Sequence, residues 1–198
     1  MHDMEREAPV LAGKVALIVG ASRGIGAVTA RRLAAAGAGV MLAARDGDAL
    51  AAVAQGIGED GGGAAWQAVD AGDPGSVEAL VAATVARFGR LDIAFNNATD
   101  GTMPQPLADM TVEDFDRAIR VNIRGTFLGL KYQVPAMLAS GGGSIVNMAS
   151  LAGVQGVANL AGYVTGKAGI IALSKVAALD YADRGIRVHG GVMECRRR

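Results

Sequence analysis

Short apolar runs alternate with longer stretches of helical period along almost the whole chain, and that alternation restricts the fold more than any other feature. Val15-Ala16-Leu17-Ile18-Val19 carries no polar alternation, so it reads as a strand buried on both faces. Residues 25–36 then follow a helical pattern, 40–44 form a second strand, 50–57 a helix and 64–69 a third strand. Asp73 followed by Pro74 reads as the N-cap and first position of a helix reaching about Phe88. Residues 91–95 are a fourth strand. Thr111 with Asp114 resembles a capping box ahead of one long helix over residues 111–137. Residues 144–148 make a fifth strand, 161–182 another long helix, and 186–188 the start of a sixth strand. Strict alternation of this kind predicts an α/β fold: a doubly wound, Rossmann-type parallel sheet of about six strands with helices on both faces.

A chain of 198 residues is the length of one domain. The expected division is a flexible segment over 1–10, a single Rossmann-type domain over 11–189, and an irregular basic tail over 190–198. Apolar residues at 51% and charged residues at 19% exclude a disordered chain. The 29 glycines are about twice the usual share and stand singly at the ends of apolar runs, as turns and close backbone contacts require. Nineteen basic residues balance nineteen acidic ones, so no global field favours nucleic acid or an anionic membrane. The longest small or apolar run, 33–44, falls short of the ~20 residues a bilayer needs, and the charged start has no apolar signal region. The lone Cys195 fits a reducing, cytoplasmic setting. No metal site is expected.

Between the first strand and first helix stands Gly20-Ala21-Ser22-Arg23-Gly24-Ile25-Gly26. Gly20 permits the tight turn out of the strand, Gly24 lets backbone N–H groups approach a pyrophosphate, and Gly26 brings the helix close to the sheet. The helix N-terminus adds partial positive charge and unpaired donors. The G-x-x-x-G-x-G spacing is one residue longer than the G-x-G-x-x-G fingerprint. At the end of the second strand an acid would accept from the ribose of NAD, whereas arginine meets the 2′-phosphate of NADP. Ala44 offers no acid, and Arg45 with Arg23 could flank a phosphate, so NADP is favoured over NAD. Asp46 is either a helix cap or a ribose acceptor. Asp70 either accepts from the adenine amino group or closes a turn before the next helix. Asn96 and Asn97 end the fourth strand, either bracing the strands or meeting a ligand.

Tyr163 and Lys167 lie four apart on a predicted helix, hence on one face. A tyrosine is a poor base at neutral pH, and a neighbouring ammonium favours its phenolate, giving a hydroxyl able to exchange a proton with a carbonyl or alcohol. Ser150 follows the fifth strand, at the sheet edge where doubly wound folds bind ligands; it could donate to a substrate oxygen or cap a turn. Asn122 sits in an apolar helical stripe with Phe115, Ala118, Ile119 and Thr126, where its amide either ties backbone carbonyls or holds a water.

Taken together, Gly20-x-x-x-Gly24-Ile25-Gly26, Asp70, Asn96-Asn97-Ala98, Val121-Asn122, Ser150, Tyr163-x-x-x-Lys167 and the Gly185-Ile186-Arg187-Val188 stretch resemble the short-chain dehydrogenase/reductase family over residues 11–188. The resemblance implies hydride transfer between a nicotinamide cofactor and a secondary alcohol or ketone. 3-Oxoacyl thioesters, sugars and steroids all stay open as substrates. It implies Tyr163 as general acid/base, Lys167 tuning Tyr163 and holding the nicotinamide ribose, Ser150 orienting the substrate, and Asn122 positioning a relay water. Backbone from Gly20 to Ile25, with Asp70 and Asn97, would hold the adenosine diphosphate part. It also implies a homodimer, or a higher oligomer, through the helices at 111–137 and 161–182. The second of these carries Ile170, Leu173 and Val176 in one stripe, with Ile171 beside it. Four departures stand out: Val19 for a threonine, Thr99 for the glycine of Asn-Asn-Ala-Gly, Ala149 for a serine and His189 for an asparagine. The family's Pro-Gly turn, last helix and last strand do not follow, so a C-terminally truncated member is expected. The alternative is a nucleotide-binding or oligomerising remnant without a working site.

Overall fold

The computed structural model describes residues 8–100 and 103–191. The expected start at 1–7 and most of the basic tail, with Cys195, lie outside the described residues. Six strands form one parallel sheet: β1 (Val15–Val19), β2 (Gly39–Ala44), β3 (Ala64–Ala68), β4 (Ile93–Asn96), β5 (Gly143–Met148) and β6 (Ile186–Gly191). Their order is β3-β2-β1-β4-β5-β6, the doubly wound arrangement that the alternation predicts. β1 is central; Leu17 pairs with Met41 on one side and with Ala94 on the other.

The helices are α1 (Gly24–Ala35), α2 (Gly47–Glu59), α3 (Pro74–Phe88), α4 (Val112–Ile119), α5 (Gly125–Ala139) and α6 (Ala161–Tyr181). Successive strand residues point to opposite faces, so β1 feeds two cores. Leu17 and Val19 pack with Val77, Leu80, Leu128 and Ala177 under α3, α5 and α6. Ala16 and Ile18 pack with Ala27, Ala30, Leu50 and Val53 under α1 and α2. Complete burial of Leu17 and Ile18 contributes about 2–3 kcal/mol each.

Local chemistry sets the helix starts. Asp46, Asp73 and Thr111 each accept from the amide three residues on, capping α2, α3 and α4. At the amino ends of the strands, buried Asp92 accepts from the Val15 amide and pairs with Lys14 and Arg90, joining β1 to β4. Burial alone would raise its pKa, but these partners hold it below the ordinary carboxylate range.

Two elements differ from expectation. The single helix over 111–137 is interrupted by a π turn at Arg120–Arg124, where the Gly125 amide bonds to the carbonyl of Arg120, five residues back. An apolar stripe of helical period has no way to mark one inserted residue. The sixth strand also runs beyond Val188 through His189, Gly190 and Gly191, pairing with Val146, Asn147 and Met148. Glycines carry no side-chain pattern to announce a strand, and here a Cβ on Gly190 would stand 3.3 Å from the Ser174 side chain.

Candidate active site

The carboxyl ends of β1 to β4 open on a groove of about 330 Å³. Gly20, Ser22 and Arg23 line it after β1, Ala44, Arg45 and Asp46 after β2, Asp70 after β3, and Asn97, Ala98 and Thr99 after β4. Of the predicted cofactor residues, Gly20, Ser22, Arg23, Arg45, Asp70 and Asn97 line this groove, whereas Ala21, Gly24, Ile25, Gly26, Tyr163 and Lys167 do not. Gly20 has φ +87°, and a Cβ there would stand 2.7 Å from the Ala98 nitrogen. Gly24 has φ +55° with open space beside it. Unlike α2 and α3, α1 starts without a side-chain cap, and its first turn carries no acid. Its leading amides lack a side-chain partner beside two exposed arginines, which is what a pyrophosphate needs. The loop does not offer every amide: those of Gly20 and Ala21 both donate to the Ala43 carbonyl, at 2.7 and 3.1 Å.

Several alternatives left open by the sequence now have geometry. Asp46 spends its carboxylate capping α2, accepting from Ala49 at 3.0 Å. Asp70 closes a turn onto the Gly72 amide at 2.9 Å and pairs with Arg120 from the π turn. Burial pushes its pKa up, but the Arg120 hydrogen bond, the Gly72 amide and the charges of Arg120 and Arg45 hold it below the usual value. Asn96 braces strands and helix, donating to Asn147 at 2.8 Å and to Gln133 at 3.0 Å. Asn97 reaches back to the Gly20 carbonyl at 3.2 Å, so it fixes the phosphate turn while lining the groove.

The four candidate reacting groups gather around α6. Lys167 is buried at 2% exposure; its Nζ donates to the Met148 carbonyl at 2.7 Å and lies 5.6 Å from the centre of the Tyr163 ring. Ser150, two residues past Met148, accepts from the Ala152 amide at 3.2 Å and thereby caps the short turn Leu151–Gly153. That turn presses on α6, since a Cβ on Gly153 would stand 2.7 Å from the Lys167 carbonyl carbon. Asn122 packs on Gly166, where a Cβ would stand 2.8 Å from its own. The Asn122 amide ties backbone, donating to Ala118 at 2.9 Å and Asp100 at 3.0 Å. None of these four lines the groove of the cofactor candidates; Asn122 approaches it through its neighbour Val121.

Burial lowers the Lys167 pKa from 10.5 to about 8. The native state thus disfavours the ammonium, and stability rises with pH between about 8 and 10.5, where only the unfolded chain holds the proton. Below pH 8 the whole penalty, on the order of 3 kcal/mol, weighs on the fold. Lys167→Met is expected to raise stability at pH 7 by about 2 kcal/mol net of the lost hydrogen bond. The gain should shrink toward pH 10.5 in melting curves of the nucleotide-free protein. A variant that melts lower at pH 7 would contradict this.

Arg120 and the hydroxyl of Thr99 escaped the sequence reading. Nothing at either position signals a partner 50 or 23 residues away. Known proteins share this fold. The family described as short chain dehydrogenase matches residues 14–193. Cyclohexanol dehydrogenase of Acinetobacter sp. (strain SE19) is 43% identical over 176 residues, covering 89% of this chain and 70% of that protein. The crystal structure of NAD+-bound xylitol dehydrogenase superposes with a TM-score of 0.88 at 38% identity, covering 90% of this chain and 69% of that one. A metagenomic short-chain oxidoreductase in complex with NADP gives 0.87 at 39% identity, covering 92% and 81%. With its six-stranded sheet, its uncapped glycine loop and this match over nearly all its length, the chain belongs to the short chain dehydrogenase family.

Proposed function

We propose that this chain transfers a hydride between NADP(H) and a cyclic secondary alcohol or its ketone, with Tyr163, Lys167, Ser150 and Asn122 as the working residues. The observation that carries the reading is the buried Lys167 ammonium held by Met148 beside the Tyr163 ring, with the Ser150 turn and Asn122 packed on the same helix. The bound nicotinamide supplies or accepts the hydride. Tyr163 gives its phenolic proton to the carbonyl oxygen in reduction and takes it back in oxidation. Lys167, held by the Met148 carbonyl, sets its ammonium 5.6 Å from the centre of the Tyr163 ring. Ser150 accepts from an amide, which leaves its own O–H to donate to the substrate oxygen. Asn122 fixes the π turn against α6, and a share in a proton relay is part of the same proposal. The ring substrate is suggested by the cyclohexanol dehydrogenase relative. The test is NADPH oxidation, followed by absorbance, with cyclohexanone; no turnover with cyclic or open-chain ketones alike would defeat the reading.

The cofactor choice rests on Arg23 and Arg45 at the groove, Ala44 without an acceptor, and Asp46 engaged as a cap. Arg45→Asp is expected to weaken NADPH binding about 10–100-fold, the loss of a charged hydrogen bond, and to improve NADH binding. Trp66, whose ring lies 3.3 Å from the Cβ position of Gly47 beside Asp46, is the single tryptophan and is the emission probe chosen for the binding measurement. Equal affinity of the unaltered chain for both nucleotides would overturn the choice.

A homodimer is part of this reading. Ile170 is buried, but Phe127 on α5 and Val176 and Leu179 on α6 stand 49%, 56% and 82% exposed, an apolar set that a second copy would cover. Sedimentation at micromolar concentration should give the dimer mass; a monomer would count against it. A cytoplasmic location completes the proposal. No helix among the described residues is long and apolar enough to cross a membrane, and cell fractionation tests the location itself.

A further inference from the structure

We propose that Thr99 is a positioning residue, whose hydroxyl holds the Asn122 carboxamide in place and so ties the wall of the cofactor groove to the helix that carries Tyr163 and Lys167. The inference rests on the oxidoreductase reading and deepens it. Asn122 is fully buried, so each polar atom of its amide needs a partner. Both N–H donors are spent on the carbonyls of Ala118 and Asp100. The amide oxygen accepts from the Thr99 hydroxyl at 2.8 Å, its one donor among the described residues. Turning the amide over would set its oxygen against two carbonyl oxygens, so the orientation is fixed from both sides. The glycine of the family pattern has no hydroxyl to make this contact.

The contact sits at a junction. Thr99 is exposed on the groove side, next to Asn97 and Ala98. Its neighbour Asp100 pairs with Arg117 of α4 at 3.7 Å, so the segment after β4 is clamped to the α4 end of the π turn by three contacts from two residues. On its other side Asn122 presses against Gly166, the residue before Lys167. A shift of the Asn122 side chain therefore reaches α6 directly. Removing the Thr99 hydroxyl leaves a buried oxygen without a donor, and the amide must move to find another.

Thr99→Val keeps the shape and deletes the donor, while Thr99→Ser keeps the donor. Asparagine-selective nitrogen labelling of the nucleotide-free protein reads the Asn122 carboxamide by its resonance position and hydrogen exchange. Steady-state kinetics with NADPH and cyclohexanone read the consequence. The expected result is a displaced, faster-exchanging Asn122 signal in the Val variant. Its kcat should fall about tenfold, equivalent to ~1.4 kcal/mol, with the nucleotide KM within about twofold, and the Ser variant should restore both readouts. An unmoved Asn122 signal, an unchanged kcat, or a Ser variant as impaired as Val would overturn the proposal. A protein without turnover in any form would instead defeat the oxidoreductase reading, and the carboxamide arm would still decide the Thr99 contact.

Discussion

Tyr163→Phe is expected to remove nearly all turnover while leaving nucleotide binding intact. The phenylalanine ring preserves the volume that half-buried Tyr163 fills beside Lys167, so the helix and the lysine keep their places. Only the hydroxyl is lost, and with it the proton that the carbonyl oxygen needs as hydride arrives. Acid–base catalysis by a positioned side chain contributes about 10²–10⁴-fold, so kcat should fall by that range. Trp66 quenching by NADPH should be unchanged, since the groove is built from residues around β1 to β4. A Phe variant that turns over at the rate of the unaltered chain would mean that Tyr163 is not the acid. A variant that loses binding as well would point to a collapsed site. Substituting Lys167 should differ in kind, because its burial loads the fold.

The order of elements was legible because the first strands are short apolar runs and several crossover helices carry a start signal, as Asp73-Pro74 shows at α3. The glycine loop was legible for a similar reason: a turn of that shape excludes side chains, and exclusion leaves a mark in sequence. Polar partners left no such mark. Asp70 is an acid at the end of the third run, but that Arg120 takes its carboxylate depends on a π turn whose extra residue rotates the helix. Asn96, Gln133, Asn147 and Ser174 form one buried network across β4, β5, α5 and α6. Read singly, each is only a polar residue in an apolar neighbourhood. Tyr163 and Lys167 were found because one helical turn fixes their separation; Thr99 and Asn122 meet through the fold, and spacing says nothing of that.

Gly26→Ala tests the phosphate loop by the smallest change available, one methyl group, and is expected to be among the most damaging single substitutions in the chain. A Cβ at Gly26 would stand 2.0 Å from the Gly20 carbonyl oxygen, 2.8 Å from its carbon and 3.1 Å from the Ala21 Cα. All three are backbone atoms, so no side chain is free to swing aside. Gly20 itself has nowhere to go. Its amide is held by the Ala43 carbonyl of β2 and its oxygen by the Asn97 side chain after β4. On its far side the Ala98 nitrogen is already 2.7 Å from its own Cβ position. The start of α1 must therefore lift away from the sheet, and with it its uncapped leading amides. Overpacking of this kind costs about 3 kcal/mol at its upper range, which for a chain of this size lowers the melting point by about 6–12 °C. Nucleotide affinity should fall at least about 100-fold, because several charge-assisted hydrogen bonds lose their geometry together. Gly58→Ala supplies the control: it lies in α2 with nothing within 4 Å of its Cβ position, so it should stabilise by about 0.5–1 kcal/mol and leave binding alone. If Gly26→Ala melts with the unaltered chain and quenches Trp66 at the same NADPH concentration, α1 does not deliver its amides to the pyrophosphate, and the nucleotide must be held elsewhere.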